Sequence, residues 1–340
     1  MLRFGLIGYG QWGQHHAVAI NATPGIHLAA IACATPATQA NAQVANPGVT
    51  VTLGYRALLA LNDIDAVAIV TPNYLHAEMA VAALTAGKDV LLEKPMALTV
   101  ADCARINAAA VDSGRTVSVV HQFRLSSQWG AVKTLIASGA VGAARYANIS
   151  LFRFPFRSGA GGWRYDADKV GSWTLEEAVH FFDIVMWYFE DHGYPETVTA
   201  TGNARTRQPG LYENFTCTLR WANGSYATIT QALGGFENHL LTEIAGTDGA
   251  VRAWWSGATD RTRTAQFELK HTQTNSSAVE TRSVGPSGEV FELAATYCRI
   301  NEAFQSKRPL VAGKEAVKSV HVCLEAQRSL TTGQTVTLNF

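Results

Sequence analysis

The sequence predicts two domains in series. An α/β domain on a parallel sheet covers residues 1–122. An α+β domain on a large, mostly antiparallel open sheet covers residues 123–340. Three observations carry this. Short continuous apolar runs alternate with helix-compatible stretches in the first part, as strands buried on both faces do. Alternating strands separated by tight turns dominate the second part, as in hairpins. A chain of 340 residues is also long enough to bury two cores.

The elements follow in order. "RFGLIG" (3–8) is an apolar strand that stops at glycine, and a helix-compatible stretch runs over 12–22. "HLAAIAC" (27–33) is the second strand, with a polar-alanine helix at 36–45. "VTVTLG" (49–54) alternates as a strand, and "YRALLALN" (55–62) is helical. "DAVAIVTP" (65–72) is a buried strand ended by proline, and "HAEMAVAALTAGK" (76–88) is a helix closed by glycine. "DVLLEKP" (89–95) is the fifth strand. A helix over 99–114 has Thr99 as its cap and Gly114 as its stop. "TVSVVHQF" (116–123) is the sixth strand.

In the second part, a helix near 127–138 leads to a strand at 144–154. One long helix is expected over about 172–189. Six strands follow, at 196–204, 212–221, 225–233, 240–246, 250–256 and 264–272. Helices over 289–306 and 313–332 and the strand-like "TVTLNF" close the chain.

Charge is balanced, with 27 Lys+Arg against 27 Asp+Glu. No global field therefore attracts nucleic acid or an anionic membrane, and neither is an expected partner. Charged residues are 16% and hydrophobic ones 47%, a composition suited to a compact protein with surface hidden in an oligomer. The five cysteines are scattered without a CxxC, so no metal site is expected and a reducing compartment suits them. The N-terminal "MLRFGLIGYG" reads as strand and turn rather than a signal peptide, and no segment is apolar enough to span a bilayer. A cytoplasmic location is the expectation.

"GLIGYGQWG" places Gly8, Gly10 and Gly13 in GxGxxG spacing between the first strand and first helix. That is the setting a dinucleotide site requires, although an ordinary glycine turn has the same spacing. Gly8 allows the tight turn, Gly10 lets backbone approach a pyrophosphate, and Gly13 permits close helix–strand packing. Tyr9, Gln11 and Trp12 share the loop. The helix N-terminus favours the phosphate charge. An acidic residue about 20 positions on normally binds the ribose 2′-hydroxyl. Here that place falls on Cys33, in "IACATPATQ". Neither an acid nor a base lies nearby, so NAD and NADP both remain open. Without an acid there is no repulsion against a 2′-phosphate, and Thr35 can donate a hydrogen bond. The balance tips towards NADP.

Two more stretches fall where such folds bind ligands, at the carboxyl ends of parallel strands. One is "VTPNYLH", with Thr71, Pro72, Asn73 and His76. The other is "LLEKP", with Glu93 and Lys94. In the second half, "GSWTLEEAVHFFDIVMW" (171–187) sets Glu176, His180 and Asp183 four and three apart in an apolar run. One unbroken helix would place all three on one face. Glu177 is the alternative carboxylate, because spacing alone does not choose between the two. Asp183 either lines a pocket or caps a neighbour. No partner for His15, His16, His192, His271 or His321 is evident in the sequence.

The glycine motif, "TPNYLH", "EKP" and "HFFD", in this order, resemble the Gfo/Idh/MocA oxidoreductases over essentially the whole chain. The resemblance implies an N-terminal Rossmann domain and a C-terminal open sheet whose outer face forms a dimer or tetramer interface. It implies nicotinamide-dependent oxidation or reduction of a sugar, polyol or related ketone. It puts the catalytic lysine at Lys94 and the catalytic histidine at His180. The carboxylate falls on Glu176, where the family has aspartate, and Ala178 replaces the usual glycine. Arg124 and His239 fall near substrate contacts, and Gln122 near the nicotinamide. Trp163 and Arg164, in "GGWRYD", offer a sugar an apolar platform and a donor fork, or else pack a loop.

The chemistry is consistent with that. Alcohol oxidation moves a hydride from carbon and a proton from oxygen. Histidine accepts such a proton near neutral pH, and lysine stabilises the developing alkoxide. A carboxylate one turn away fixes the imidazole. Two alternatives share the resemblance: an NAD-dependent glycoside hydrolase and a non-catalytic nucleotide or sugar sensor.

Overall fold

The computed structural model describes residues 1–204, 210–274, 276 and 278–340. It separates into two compact units, Met1–His121 with Leu293–Val320, and Gln122–Glu292 with His321–Phe340.

In the first unit, strands and helices alternate as β1 (Leu2–Ile7), α1 (Gln11–Ala22), β2 (Ile26–Cys33), α2 (Pro36–Ala45), β3 (Thr50–Leu53), α3 (Tyr55–Leu59), β4 (Ala66–Ile69), α4 (His76–Thr85), β5 (Asp89–Glu93), α5 (Val100–Ser113) and β6 (Val117–Val120). The strands are parallel, in the order β3-β2-β1-β4-β5-β6. Their apolar runs follow from this: Ala66, Val67, Ala68 and Ile69 are all 0% exposed, covered on both faces. Strand order reverses between β1 and β4. That leaves a crevice at their carboxyl ends, where this topology receives ligands.

The second unit holds α6 (Ser127–Ala137), β7 (Ala144–Phe152), α7 (Ala167–Val170), α8 (Trp173–Glu176), α9 (Val179–Tyr188), β8 (Thr197–Asn203), β9 (Asn214–Arg220), β10 (Tyr226–Ala232), β11 (Asn238–Gly246), β12 (Gly249–Gly257), β13 (Gln266–Gln273) and β14 (Val279–Arg282). Two helices follow, α10 (Glu289–Gln305) and α11 (Gly313–Thr332), and then β15 (Val336–Thr337). The sheet order is β14-β13-β12-β11-β7-β10-β9-β8-β15. Every neighbouring pair is antiparallel except β7 and β10. One face is buried: Leu240, Thr242 and Ile244 alternate with the half-exposed His239, Leu241 and Glu243. The buried face carries α9, whose Phe181, Phe182 and Val185 are enclosed. No helix among the described residues is long and apolar enough to cross a membrane.

Two expectations need correction. The second domain does not run unbroken to the C-terminus, because residues Leu293–Val320 belong to the first unit. Leu293, Tyr297, Ile300 and Phe304 of α10 complete the core around Phe4 and Leu28. Phe4 meets the Tyr297 ring edge-on at 5.7 Å. Sequence periodicity shows that α10 is amphipathic but not which core it fills. The helix over 172–189 is also not continuous. It breaks after Glu176, where the His180 amide reaches back only to the Glu177 carbonyl at 3.1 Å.

Candidate functional site

In the first unit, the three glycines have separate reasons. Gly8 has φ +102°, and a Cβ there would collide with the Val70 carbonyl. A Cβ on Gly13 would strike the Gly8 carbonyl. A Cβ on Gly10 would meet nothing within 4 Å, so this backbone faces open space at the start of α1. No side chain caps α1 at Gly10. Its first-turn amides and dipole therefore suit an anion. Thr71 stands just past β4, beside the strand reversal, and its Oγ1 is buried with no hydrogen-bond partner among the described residues. An open backbone approach, an uncapped helix start and an orphaned hydroxyl fit a dinucleotide.

The rest of this pocket is braced from within. Tyr9 is buried and its hydroxyl accepts from Asn46 Nδ2 at 2.8 Å. Gln11 is exposed and Trp12 half-buried. Cys33 is 2% exposed, and burial pushes its thiol up, although Thr38 opposes this. Thr35 caps α2 and accepts from the Thr38 amide at 3.2 Å. The Thr38 hydroxyl donates to the Thr35 carbonyl at 2.9 Å, which leaves the Thr35 O–H as the donor to Thr38 Oγ1, also at 2.9 Å. The first turn of α2 carries no acid. Pro72 and the buried Asn73 lead into α4. His76 is fully buried, its Nδ1 2.7 Å from the Pro95 carbonyl and its Nε2 3.0 Å from the Thr71 carbonyl. It thereby ties the loop after β4 to the loop after β5.

Glu93 closes β5 and is 6% exposed. Its Oε1 accepts from Trp12 Nε1 at 2.9 Å and lies 3.1 Å from His16 Nε2. Its Oε2 accepts from the Lys94 backbone N–H at 3.1 Å. Burial pushes this carboxyl up, but His16, Trp12 and Lys94 outweigh it, and the group lies below its ordinary value. It is therefore a carboxylate at neutral pH. Glu93 is a brace beneath the pocket, with both oxygens engaged by protein. Lys94 is half-buried directly beyond it.

In the second unit, His180 is 5% exposed and its ring stacks on Phe123 at 4.8 Å. The carboxylates four positions before and three positions after it, Glu176 and Asp183, are each paired with an arginine. Arg164 Nε donates to Glu176 Oε1 at 2.8 Å, and its guanidinium covers Trp163 at 4.7 Å. Arg124 grips Asp183 with two bonds of 2.8 Å. Charge-assisted pairs of this kind fix both partners. Glu177 turns elsewhere, to Arg153 Nη1 at 2.8 Å, and Arg153 also holds Asp260. The two adjacent carboxylates, at the point where the helix breaks, are thus held by different arginines. Gln122 is buried beside Phe123 in sequence. His239 is not gathered with these groups. It lies on the sheet face opposite α9, stacked on Trp254 at 6.2 Å.

Sequence reasoning missed the partners of several histidines. His16 bonds Glu93 and Tyr297, His192 bonds Ser225, and His321 bonds Tyr194. His16 sits three positions after Gly13, on the inward face of α1, but its partners lie 77 and 281 positions away.

Two family models match. "Oxidoreductase family, NAD-binding Rossmann fold" covers residues 2–121, and "GFO/IDH/MocA C-terminal domain" covers 129–252. An uncharacterised oxidoreductase, YdgJ, of Escherichia coli (strain K12) is 38% identical over 58% of this chain and 56% of its own length. A 1,5-anhydro-D-fructose reductase of Ensifer adhaerens is 28% identical over 74% of this chain and 75% of its own. A crystal structure of aldose–aldose oxidoreductase from Caulobacter crescentus, complexed with glycerol, superposes with a TM-score of 0.85 at 21% identity over 99% of both chains.

Proposed function

We propose, for a chain that belongs to the GFO/IDH/MocA family of oxidoreductases, a hydride transfer between a nicotinamide cofactor and a sugar, polyol or related ketone. The observation that carries this reading is the glycine loop, with Gly10 facing open space and Gly8 packed against Thr71, whose Oγ1 is orphaned among the described residues. The sugar class is supported by the reductase of Ensifer adhaerens.

When bound, the nicotinamide supplies a hydride acceptor or donor. The chain's own residues would do the rest. His180 takes the hydroxyl proton in oxidation and returns it in reduction. The Lys94 ammonium hydrogen-bonds the same oxygen and stabilises its developing negative charge. Glu176, anchored by Arg164, orients His180, and Phe123 fixes the plane of its ring. Arg124 and Asp183 present a neutralised polar pair to the substrate. Trp163 offers an apolar face. NADP is favoured over NAD, because no acid at Cys33 or in the first turn of α2 repels a 2′-phosphate.

A homodimer or homotetramer through the outer sheet face belongs to the same proposal. That face exposes Tyr226 at 42% and Phe152 at 40%. Light scattering on the Tyr226→Glu variant tests it; an unchanged assembly refutes it. For the chemistry, Lys94→Ala and His180→Asn are each expected to lower kcat about 10²-fold or more while cofactor binding persists, the usual scale for a proton-transfer or oxyanion group. Full turnover in either variant removes the mechanism.

A further inference from the structure

Tyr297 lies 281 positions from His16 in sequence, yet its hydroxyl is 2.8 Å from His16 Nδ1. Tyr297 is 0% exposed, and burial, reinforced by the Glu93 charge, holds its phenol well above the ordinary value. It therefore keeps its proton. Glu93 accepts at both oxygens, from Trp12 Nε1–H at Oε1 and the Lys94 amide at Oε2, which marks it as an acceptor without any charge on His16. His16 is 0% exposed and bridges the two. A protonated imidazole would donate from Nδ1 to the Tyr297 oxygen, leaving the buried phenolic hydrogen with no acceptor shown among the described residues. A neutral imidazole with its proton on Nε2 satisfies every atom. Tyr297 then donates to Nδ1, and Nε2–H donates to Glu93 Oε1.

From this geometry we infer that Tyr297 is a positioning residue, which donates to His16 Nδ1 and so holds the imidazole with its Nε2–H on Glu93, the group that clamps the glycine-loop helix to the backbone of Lys94. Each link is in the contacts. Glu93 Oε1 holds α1 through Trp12 and His16, while Oε2 holds the Lys94 amide. The opposite tautomer would set a bare Nε2 lone pair against the carboxylate, and the α1 side of the clamp would loosen. The role in turnover rests on the reading of Lys94 given above; the tautomer does not.

The test uses full-length protein labelled with nitrogen-15 in histidine, compared with Tyr297→Phe. Side-chain nitrogen spectra of wild type are expected to show His16 neutral and protonated at Nε2. In Tyr297→Phe, Nε2 keeps its proton towards Glu93 but Nδ1 loses its donor, so the Nδ1 signal is expected to move to that of an imidazole nitrogen without a hydrogen bond, with kcat down about tenfold, the worth of one hydrogen bond. His16→Phe, which removes the bridge, is expected to match or exceed that loss, and equal thermal midpoints exclude misfolding as its cause. A cationic or Nδ1-protonated His16 in wild type overturns the inference. So does a Tyr297→Phe protein with an unchanged His16 spectrum. Lys94→Ala, run alongside, keeps the two readings apart. If it turns over normally, the role of Lys94 fails, while the spectra still judge Tyr297.

Discussion

Gly10 and Gly13 belong to one motif, yet alanine at the two positions should fail in different ways. Gly10 has φ −74° and ψ −171°, a conformation alanine adopts readily, and its added methyl would meet nothing within 4 Å. Losing glycine from the unfolded chain favours the alanine variant by about 0.4–1 kcal/mol. Alanine is a poorer N-cap than glycine, by a similar amount. The two nearly cancel, so stability should move by less than about 1 kcal/mol. The same methyl would hold a pyrophosphate off the backbone. Losing two charge-assisted amide contacts, at about 1.5 kcal/mol each, weakens cofactor binding about 10²-fold. Gly13→Ala should fail through the fold instead. Its methyl runs into the Gly8 carbonyl, and Gly8, with its positive φ, cannot shift freely. Overpacking of this kind costs about 1–3 kcal/mol. Urea unfolding and fluorescence titration with reduced cofactor read the two effects separately. A Gly10→Ala protein that binds cofactor like wild type would refute the proposed pyrophosphate approach.

Three further outcomes are expected. Arg124→Ala leaves Asp183, 2% exposed, as a buried charge without its bidentate partner, and should cost about 3 kcal/mol in urea unfolding; Asp183→Asn in the same background should recover part of it. Arg164→Ala should release Glu176 and lower kcat about tenfold with cofactor affinity unchanged, which stopped-flow binding and steady-state kinetics check together. Stability should also fall with rising pH. Burial, then the Asp260 and Glu177 charges, pushes Glu289 up to about 8, and burial pushes Glu292 up to about 7. Folded carboxyls that hold protons more tightly than unfolded ones stabilise fully below the unfolded pKa, about 4.3. That contribution is lost as pH climbs through about 7 and then about 8. Glu289→Gln should flatten the profile and be the more stable protein at alkaline pH, measured by thermal midpoints across the range.

The first sheet was legible because a strand covered on both faces needs continuous apolar residues and a glycine or proline stop. β4, "AVAI", and β5, "DVLLE", declare themselves in that way. The glycine loop was equally legible, since strand, turn and helix are local. Tertiary contacts were not. The apolar run from Leu175 to Trp187 reads as one helix, but it is broken at Glu177, where adjacent glutamates pair with Arg164 and Arg153. Both arginines lie upstream, with no spacing rule to connect them. α10 was found as a helix, and its amphipathic pattern gave no sign that Tyr297 serves the first core. His16 and Glu93 were each visible, and only the fold brings them together.

The most direct test of hydride transfer is the absorbance of the reduced nicotinamide in purified protein. Sugars, inositols, other polyols and ketoses are screened with both cofactors in both directions, beside Lys94→Ala. Turnover of at least one sugar or polyol, faster with the phosphorylated cofactor and lost in Lys94→Ala, is the predicted result. Tight cofactor binding with no change in absorbance across the whole panel would contradict it.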